Sequence, residues 1–400
     1  MNAKPAKLHE LPAWPQYADE EVAAVQRVLA SGRVNYWTGT EGREFEREYA
    51  DHVGVGHGIA LANGSVALEL ALRVLGVGAG DEVIVTPRSF IASASSIVVC
   101  GARPVFAEID RDSQNITAQT IAPLITDRTR AIIAVHLAGW PCDMLPIVDL
   151  AESHGISVVE DCAQAHGALY NGRPVGSFGD IGIFSFCQDK IITTGGEGGM
   201  LVTGSEQLWE KAWSYKDHGK SYAAMHSPQQ FALTAFSWVH ESFGSNLRMT
   251  EMQAAIGRIQ LRKLGDWVSR RRQNAHLLAG QLSQLPALRV PLPGESAYHA
   301  YYKFYAFVNP QNLRSGWTRD RLLGALREQG VPCFGGSCPE IYRERAFTDS
   351  SYRLQTTLPV AHELGDTSLM FLVHPTLSPE DMAQMAAIIV AVVRSAQRPS

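Results

Sequence analysis

Between about residues 60 and 205 the chain carries short apolar runs at 83–86, 104–109, 131–135, 156–160 and 181–186. Each has the length of one buried strand. Several lack two-residue alternation, the pattern expected when both faces of a sheet are covered. Helical stretches lie between some of them. One carries Leu145, Ile147, Val148 and Ala151 behind Asp143, a candidate cap. Strand and helix alternating at this pitch restrict the chain to an α/β fold around a mainly parallel sheet.

The flanking segments read differently. Residues 19–30 form an expected helix, with Asp19, Glu20 and Glu21 in its first turn, where acids suit the dipole. Val22, Val25, Val28 and Leu29 follow helical spacing, and Gly32 is a stop. Thr250 and Gln253 make a capping-box pattern ahead of the stripe Met252, Ile256 and Ile259. After about 265 the composition changes. A basic run, Arg270 to Arg272, leads into another expected helix, then a Pro-rich turn at 286–293 and an aromatic, strand-like segment at 298–308. The reading is a large domain over 1–265 and a smaller C-terminal α+β domain over 266–400.

Composition excludes several classes. Apolar residues are 46% of the 400, enough for a large core, and charged residues only 19%. The net charge of −5 shows no basic excess for a generic nucleic-acid binder. No apolar run approaches the roughly 20 residues that span a bilayer, and the N-terminus has no signal-peptide core. The expected location is the cytoplasm, without membrane attachment. The six cysteines form no CxxC pair and no zinc spacing, so reduced thiols and no metal are expected.

In open α/β sheets, ligands sit beyond the carboxyl ends of strands. One such end is Ile156-Ser157-Val158-Val159-Glu160-Asp161. Another is Ile181-Gly182-Ile183-Phe184-Ser185-Phe186, followed by Cys187-Gln188-Asp189-Lys190. An Asp closing one strand and a Lys just past another is the pairing that pyridoxal phosphate uses: the amine for the Schiff base, the carboxylate for the pyridine nitrogen. Alone, Asp161 also reads as a cap or ion-pair partner, and Lys190 as surface. The run Thr193-Thr194-Gly195-Gly196-Glu197-Gly198-Gly199 permits tight turns and close backbone approach. Asn63-Gly64-Ser65 opens a helical stretch, so its N–H groups and dipole suit a phosphate; plain capping by Ser65 is the other reading. Ser185, on the same strand-to-loop edge as Lys190, is a second candidate phosphate donor. Neither GxxxxGK[ST] nor a GxGxxG opening a helix after a strand occurs, which argues against a Walker loop and a nucleotide-binding oxidoreductase.

These blocks together resemble a family. VVEDCAQAHGA at 158–168, GDIGIFSF at 179–186, DKIITTGGEGG at 189–199 and FGSNLRMTEMQAAIGRIQL at 243–261 look like the sugar aminotransferases of the DegT–DnrJ–StrS group. The resemblance implies a fold-type-I pyridoxal phosphate enzyme. Such enzymes move an amino group, usually from glutamate, to a keto sugar carried on a nucleotide, most often a 4-keto-6-deoxy sugar. They commonly work as homodimers with shared active sites. It also implies ping-pong kinetics and a role in surface-polysaccharide or amino-sugar biosynthesis.

Roles follow by position. Lys190 matches the Schiff-base lysine; relatives with His there are dehydratases. Asp161 matches the pyridine-nitrogen partner, and Gln164 a residue beside the ring. Gly64, Ser65 and Ser185 match phosphate binders. Phe90, in Thr86-Pro87-Arg88-Ser89-Phe90, matches an aromatic that stacks on the cofactor; core packing is its other reading. Arg88 departs from the small residue expected there. Asn246 matches a residue that reaches the cofactor phosphate of the other subunit. Arg248 suits a carboxylate or phosphate, or an ordinary ion pair. His218 matches a segment near the sugar, with a satisfied loop or core histidine as its other reading; His136, ending the strand at 131–135, carries the same two readings. Trp140-Pro141 departs from the usual polar pair. Arg270–Arg272 reads chiefly as a solvated helix face, with a diphosphate contact as the alternative. A dehydratase and a non-catalytic regulatory member of the same fold are the rival functions.

Overall fold

The computed structural model describes residues 7–226 and 238–399. In chain order the strands are β1 (His57–Leu61), β2 (Glu82–Val85), β3 (Arg103–Phe106), β4 (Thr129–Val135), β5 (Ser157–Asp161), β6 (Leu169–Tyr170), β7 (Arg173–Pro174), β8 (Ile181–Ser185), β9 (Gly199–Thr203), β10 (Leu288–Arg289), β11 (Ala297–Tyr298), β12 (Phe304–Val308), β13 (Cys333–Phe334) and β14 (Ser368–Phe371). The main sheet has seven strands in the order β1-β9-β8-β5-β4-β2-β3. The pairs from β3 through β8 are parallel, and β9 runs antiparallel to both its neighbours. A four-stranded antiparallel sheet, β10-β12-β14-β13, forms the C-terminal part. The expected α/β architecture with a smaller C-terminal unit is what the chain adopts.

The missing alternation has its cause here. Along β4, Ala131, Ile133 and Val135 enter one core, while Ile132 and Ala134 enter the core on the opposite face. Both faces are dry, so both sets are apolar. The five apolar runs all become strands of this sheet, shifted by one to three residues at some ends.

Other expectations change in detail. The helix Asp19–Ser31 ends on Gly32 at φ 67°, the left-handed stop expected of it. Thr250 caps the next long helix with the capping box to Gln253. That helix runs unbroken from Glu251 to Leu282, so the basic run does not precede a new helix; it lies inside this one. Its Ala254, Leu264 and Val268 pack against the main sheet. Its Ala275, Leu278, Ala279 and Leu282 pack with β12 and β14. We place the changeover between the two units inside this helix. Asp143 sits at a helix N-terminus but makes no cap bond; its carboxylate accepts the Tyr170 hydroxyl instead. The aromatic segment 298–308 is not one strand. It breaks between β11 and β12, where Tyr301 has φ 48°. Among the described residues no helix is long and apolar enough to cross a membrane.

Candidate active site

A cleft of about 1250 Å³ opens at the carboxyl ends of β5 and β8, with the C-terminal unit as its far wall. Seven of the expected residues line it: Gly64, Ser65, Phe90, Asp161, Gln164, Ser185 and Lys190. They come from four separate strand ends, as the open-sheet rule requires.

Asp161 is the last residue of β5 and is buried. Its Oδ2 accepts the Ser93 hydroxyl at 2.8 Å, and its Oδ1 accepts the Ala163 amide at 3.1 Å. Burial pushes this carboxyl above its ordinary range; those two donors, Lys190 and His136 pull it back only in part. A buried carboxylate held up in this way favours a close cation.

Lys190 lies in the loop after β8. Trp14 Nε1 donates to its carbonyl at 2.9 Å, so the N-terminal segment pins the lysine's backbone. Its Nζ stands 4.9 Å from the ring centre of Tyr302.

The helix Gly64–Val74 starts at the cleft. Asn63 is its cap, accepting the Val66 amide at 3.0 Å, so the Ser65 hydroxyl is not the cap. The first amides of a helix have no partner within it, and those of Gly64 and Ser65 sit at this cleft. Gly64 is required by closeness: a Cβ there would lie 2.6 Å from the Ser185 Cβ. Ser65 and Ser185 both line the cleft next to this contact.

Gln164 Oε1 accepts the Ala138 amide at 2.8 Å, which leaves its NH₂ donors for the cleft. Phe90 is 65% exposed in the cleft wall, so core packing does not account for it. Arg88 has a structural explanation. It is fully buried, donating from Nε to Gln114 at 2.8 Å and from Nη2 to Ser368 at 3.0 Å. It thereby ties the loop that bears Phe90 to β14. The glycine run is mostly turn chemistry. Gly195 and Gly196 hold φ 86° and 126°, and only Glu197 of that run reaches the cleft.

His136 is buried away from the cleft. It accepts the Cys142 amide on Nδ1 at 2.9 Å and meets Glu160 through Nε2 at 3.1 Å. Glu160 also accepts the amides of Gly176, Phe178 and Gly179. His136, Glu160 and Cys162 lie close enough to suggest a metal. The three amide donors already occupy that carboxylate, and the cluster reads as a brace between β4 and β5.

Three expected residues lie outside this cleft. His218 and Asn246 are exposed. Arg248 pairs with buried Asp217 at 2.7 Å, the ion-pair reading of the sequence. The solvated-face reading of the basic run is corrected: Arg271 is fully buried, and Arg272 stacks 3.8 Å from the Tyr298 ring centre.

The sequence reading did not pick out Ser93, Trp14, Tyr302 or Lys303, all of which line the cleft. Ser93 lies in the first turn of the short helix Ala92–Val99, just after Phe90, but nothing local marks it. The others come from distant segments, and no local pattern marks them.

A profile described as the DegT/DnrJ/EryC1/StrS aminotransferase family matches residues 15–390. The chain is 37% identical over 371 residues to UDP-N-acetyl-3-dehydro-alpha-D-glucosamine 3-aminotransferase of Acidithiobacillus ferrooxidans, covering 93% of each. It is 35% identical to GDP-perosamine synthase of Caulobacter vibrioides over 89% of this chain and 92% of the relative. Among solved structures, an aminotransferase from Psychrobacter cryohalolentis matches with a TM-score of 0.93 at 51% identity. That match covers 97% of this chain and all of the other, 100%. The expected fold-type-I architecture is borne out by structures of this kind.

Proposed function

This chain belongs to the DegT/DnrJ/EryC1/StrS aminotransferase family, and we propose that it moves an amino group from glutamate to a nucleotide-linked keto sugar, with pyridoxal phosphate in the cleft at β5 and β8. The observation that carries this reading is the joint position of Asp161 and Lys190 in one cleft with the Gly64–Ser65–Ser185 cradle.

The residues fit the cofactor. Buried Asp161 calls for a cation, and a protonated ring nitrogen is one. Free helix amides and two hydroxyls suit a phosphate. When bound, pyridoxal phosphate supplies an electron sink for the carbon that loses a proton. The chain's own groups do the rest. Asp161 would keep the ring nitrogen protonated, with Ser93 and the Ala163 amide fixing the carboxylate. Gly64, Ser65 and Ser185 would hold the phosphate, Phe90 would cover one ring face, and Gln164 would donate at the ring edge. Lys190 would hold the cofactor and move the proton at the donor's α-carbon. A lysine in this position supports transamination over dehydration.

The cleft exceeds the roughly 300–1,000 Å³ of ordinary ligand pockets, which suits a cofactor together with a nucleotide sugar. Our first substrate class is a 4-keto-6-deoxy sugar, serving surface-polysaccharide or amino-sugar biosynthesis. A 3-keto sugar is the second reading, favoured by the Acidithiobacillus relative, which is named for a 3-dehydro sugar. We also propose a homodimer with shared sites. Asn246, His218 and Arg248 lie outside their own chain's cleft, near Phe243, which is 98% exposed. A partner's cleft would give Asn246 and His218 a ligand, while Arg248 stays paired with Asp217.

The test is the absorbance spectrum of the purified protein before and after glutamate. A visible band that shifts to shorter wavelength supports the cofactor and the first half-reaction together. A band unmoved by glutamate would overturn the donor assignment. No band, even with added pyridoxal phosphate, would overturn the reading as a whole. Parallel double-reciprocal plots with both substrates are expected of the ping-pong scheme.

A further inference from the structure

On the C-terminal side of the cleft, Tyr302 serves two lysines. Its ring centre is 4.9 Å from Lys190 Nζ and 4.6 Å from Lys303 Nζ. The break at Tyr301 precedes β12 and leaves Tyr302 and Lys303 lining the cleft. The Lys303 side chain is only 16% exposed. Its ion-pair partner among the described residues is Asp189, with Oδ2 at 3.7 Å, beyond hydrogen-bond length. Asp189 is already engaged by the Tyr302 hydroxyl.

Arg271 stands behind the same ring. It is fully buried and donates from Nη1 to the Tyr302 carbonyl at 3.2 Å. Its guanidinium lies 5.0 Å from the Trp14 ring centre, and its Nε and Nη2 have no hydrogen-bond partner among the described residues. Among the described residues, Asp189 is the carboxylate that acts on Lys303 and Arg271, and Lys190 shares it while also acting on Asp161. Burial pushes Lys303 down to about 8 and Arg271 to about 9. His374, also in the cleft wall, is pushed down to about 3, mainly by burial and then by Arg271 and Lys303, so it adds no charge at neutral pH. Buried cations short of counter-charge favour an incoming anion.

We propose that Lys303 is an anion subsite of this cleft, taking an oxyanion of a substrate while Lys190 works at the neighbouring carbon, with Arg271 behind Tyr302 adding positive field. This rests on the aminotransferase reading and names which residue recognises a substrate there. The oxyanion has two sources, the carboxylate of the amino donor and the diphosphate of the sugar nucleotide. The shared ring favours the carboxylate. Both ammonium groups lie against it, at 4.9 and 4.6 Å from its centre, whereas the sugar ring separates the diphosphate from the keto carbon.

The experiment uses the holoenzyme with three probes: glutamate, followed by the spectral half-reaction; glutarate, a dicarboxylate with no amine, followed by calorimetry; and UDP or GDP, also by calorimetry. The variants are Lys303→Met and Lys303→Arg. Losing a hydrogen-bonded ion pair should weaken glutamate saturation and glutarate binding about tenfold or more in Lys303→Met, with the limiting half-reaction rate little changed. Lys303→Arg should recover most of that loss, which a merely misfolded variant would not. Weakened UDP or GDP with unchanged glutarate would support the subsite but assign it to the diphosphate. Unchanged binding of all three probes would overturn the proposal. Failure of the wild-type band to respond to glutamate would instead count against the aminotransferase reading, and the glutarate and nucleotide arms would still decide Lys303.

Discussion

Asp161 gains its character from burial, and burial makes its few hydrogen bonds consequential. Among the described residues, the hydroxyl of Ser93 is one of two hydrogen-bond donors to that carboxylate. A hydrogen bond to a charged group contributes roughly 1.5–3 kcal/mol. We expect Ser93→Ala to lower pyridoxal phosphate affinity about tenfold or more while thermal stability hardly moves, and Ser93→Thr to keep it. Titration of the cofactor against the visible band measures this; equal affinity in wild type and Ser93→Ala would mean that the Ala163 amide suffices. Lys190→Ala should abolish turnover, because Lys190 is the lysine that acts on Asp161 in the cleft and is assigned to hold the cofactor and move the proton. Lys303 is set beyond Tyr302, and full activity in Lys190→Ala would remove Lys190 from its assigned role.

At the scale of the element, one helix start decides the phosphate cradle. Asn63 caps it, Gly64 lets it approach β8, and Ser65 is left with a free hydroxyl. A methyl group at 64 must displace the Ser185 side chain or the helix itself. Gly64→Ala should therefore lose cofactor affinity by more than its effect on Tm would suggest, measured by the same titration beside thermal unfolding. Asn63→Ala should act in the opposite sense. It removes a cap contributing about 1 kcal/mol and should lower Tm by more than it lowers affinity. Strand β12 teaches a second point. The aromatic run looked continuous, yet its first half had to break for Tyr302 and Lys303 to reach the cleft.

On the scale of the whole molecule, the site exists because two cores meet. The helix Glu251–Leu282 belongs to both cores, and buried Arg88 crosses between them through Ser368. The cleft lies along that junction. Asn246 does not line the cleft of its own chain, which is why we assign its loop to a second copy. Mixing Lys190→Ala with Asn246→Ala protein tests this. In a shared-site dimer each mixed pair has one intact site, so exchange of subunits should restore about a quarter of wild-type activity. Activity that stays at the level of the separate variants would mean that each chain completes its own site.

The sequence by itself determined the parallel sheet, because strands dry on both faces must be apolar at every position and such runs are visible without a partner. It also pointed to Asp161, Lys190, Ser185 and the Gly64–Ser65 turn as residues gathered at one sheet edge, where the structure finds them lining one cleft, because strand ends and helix starts are local events at known spacing. Only the tertiary structure decided what stands opposite them. Trp14 meets Lys190 across 176 positions of chain, and Arg88 meets Ser368 across 280. Contacts of that separation leave no period in the chain. The same holds for Arg271: a basic run on a helix reads as solvated until packing places the second core over that face, and a charge that no local rule would bury becomes part of the wall behind the site.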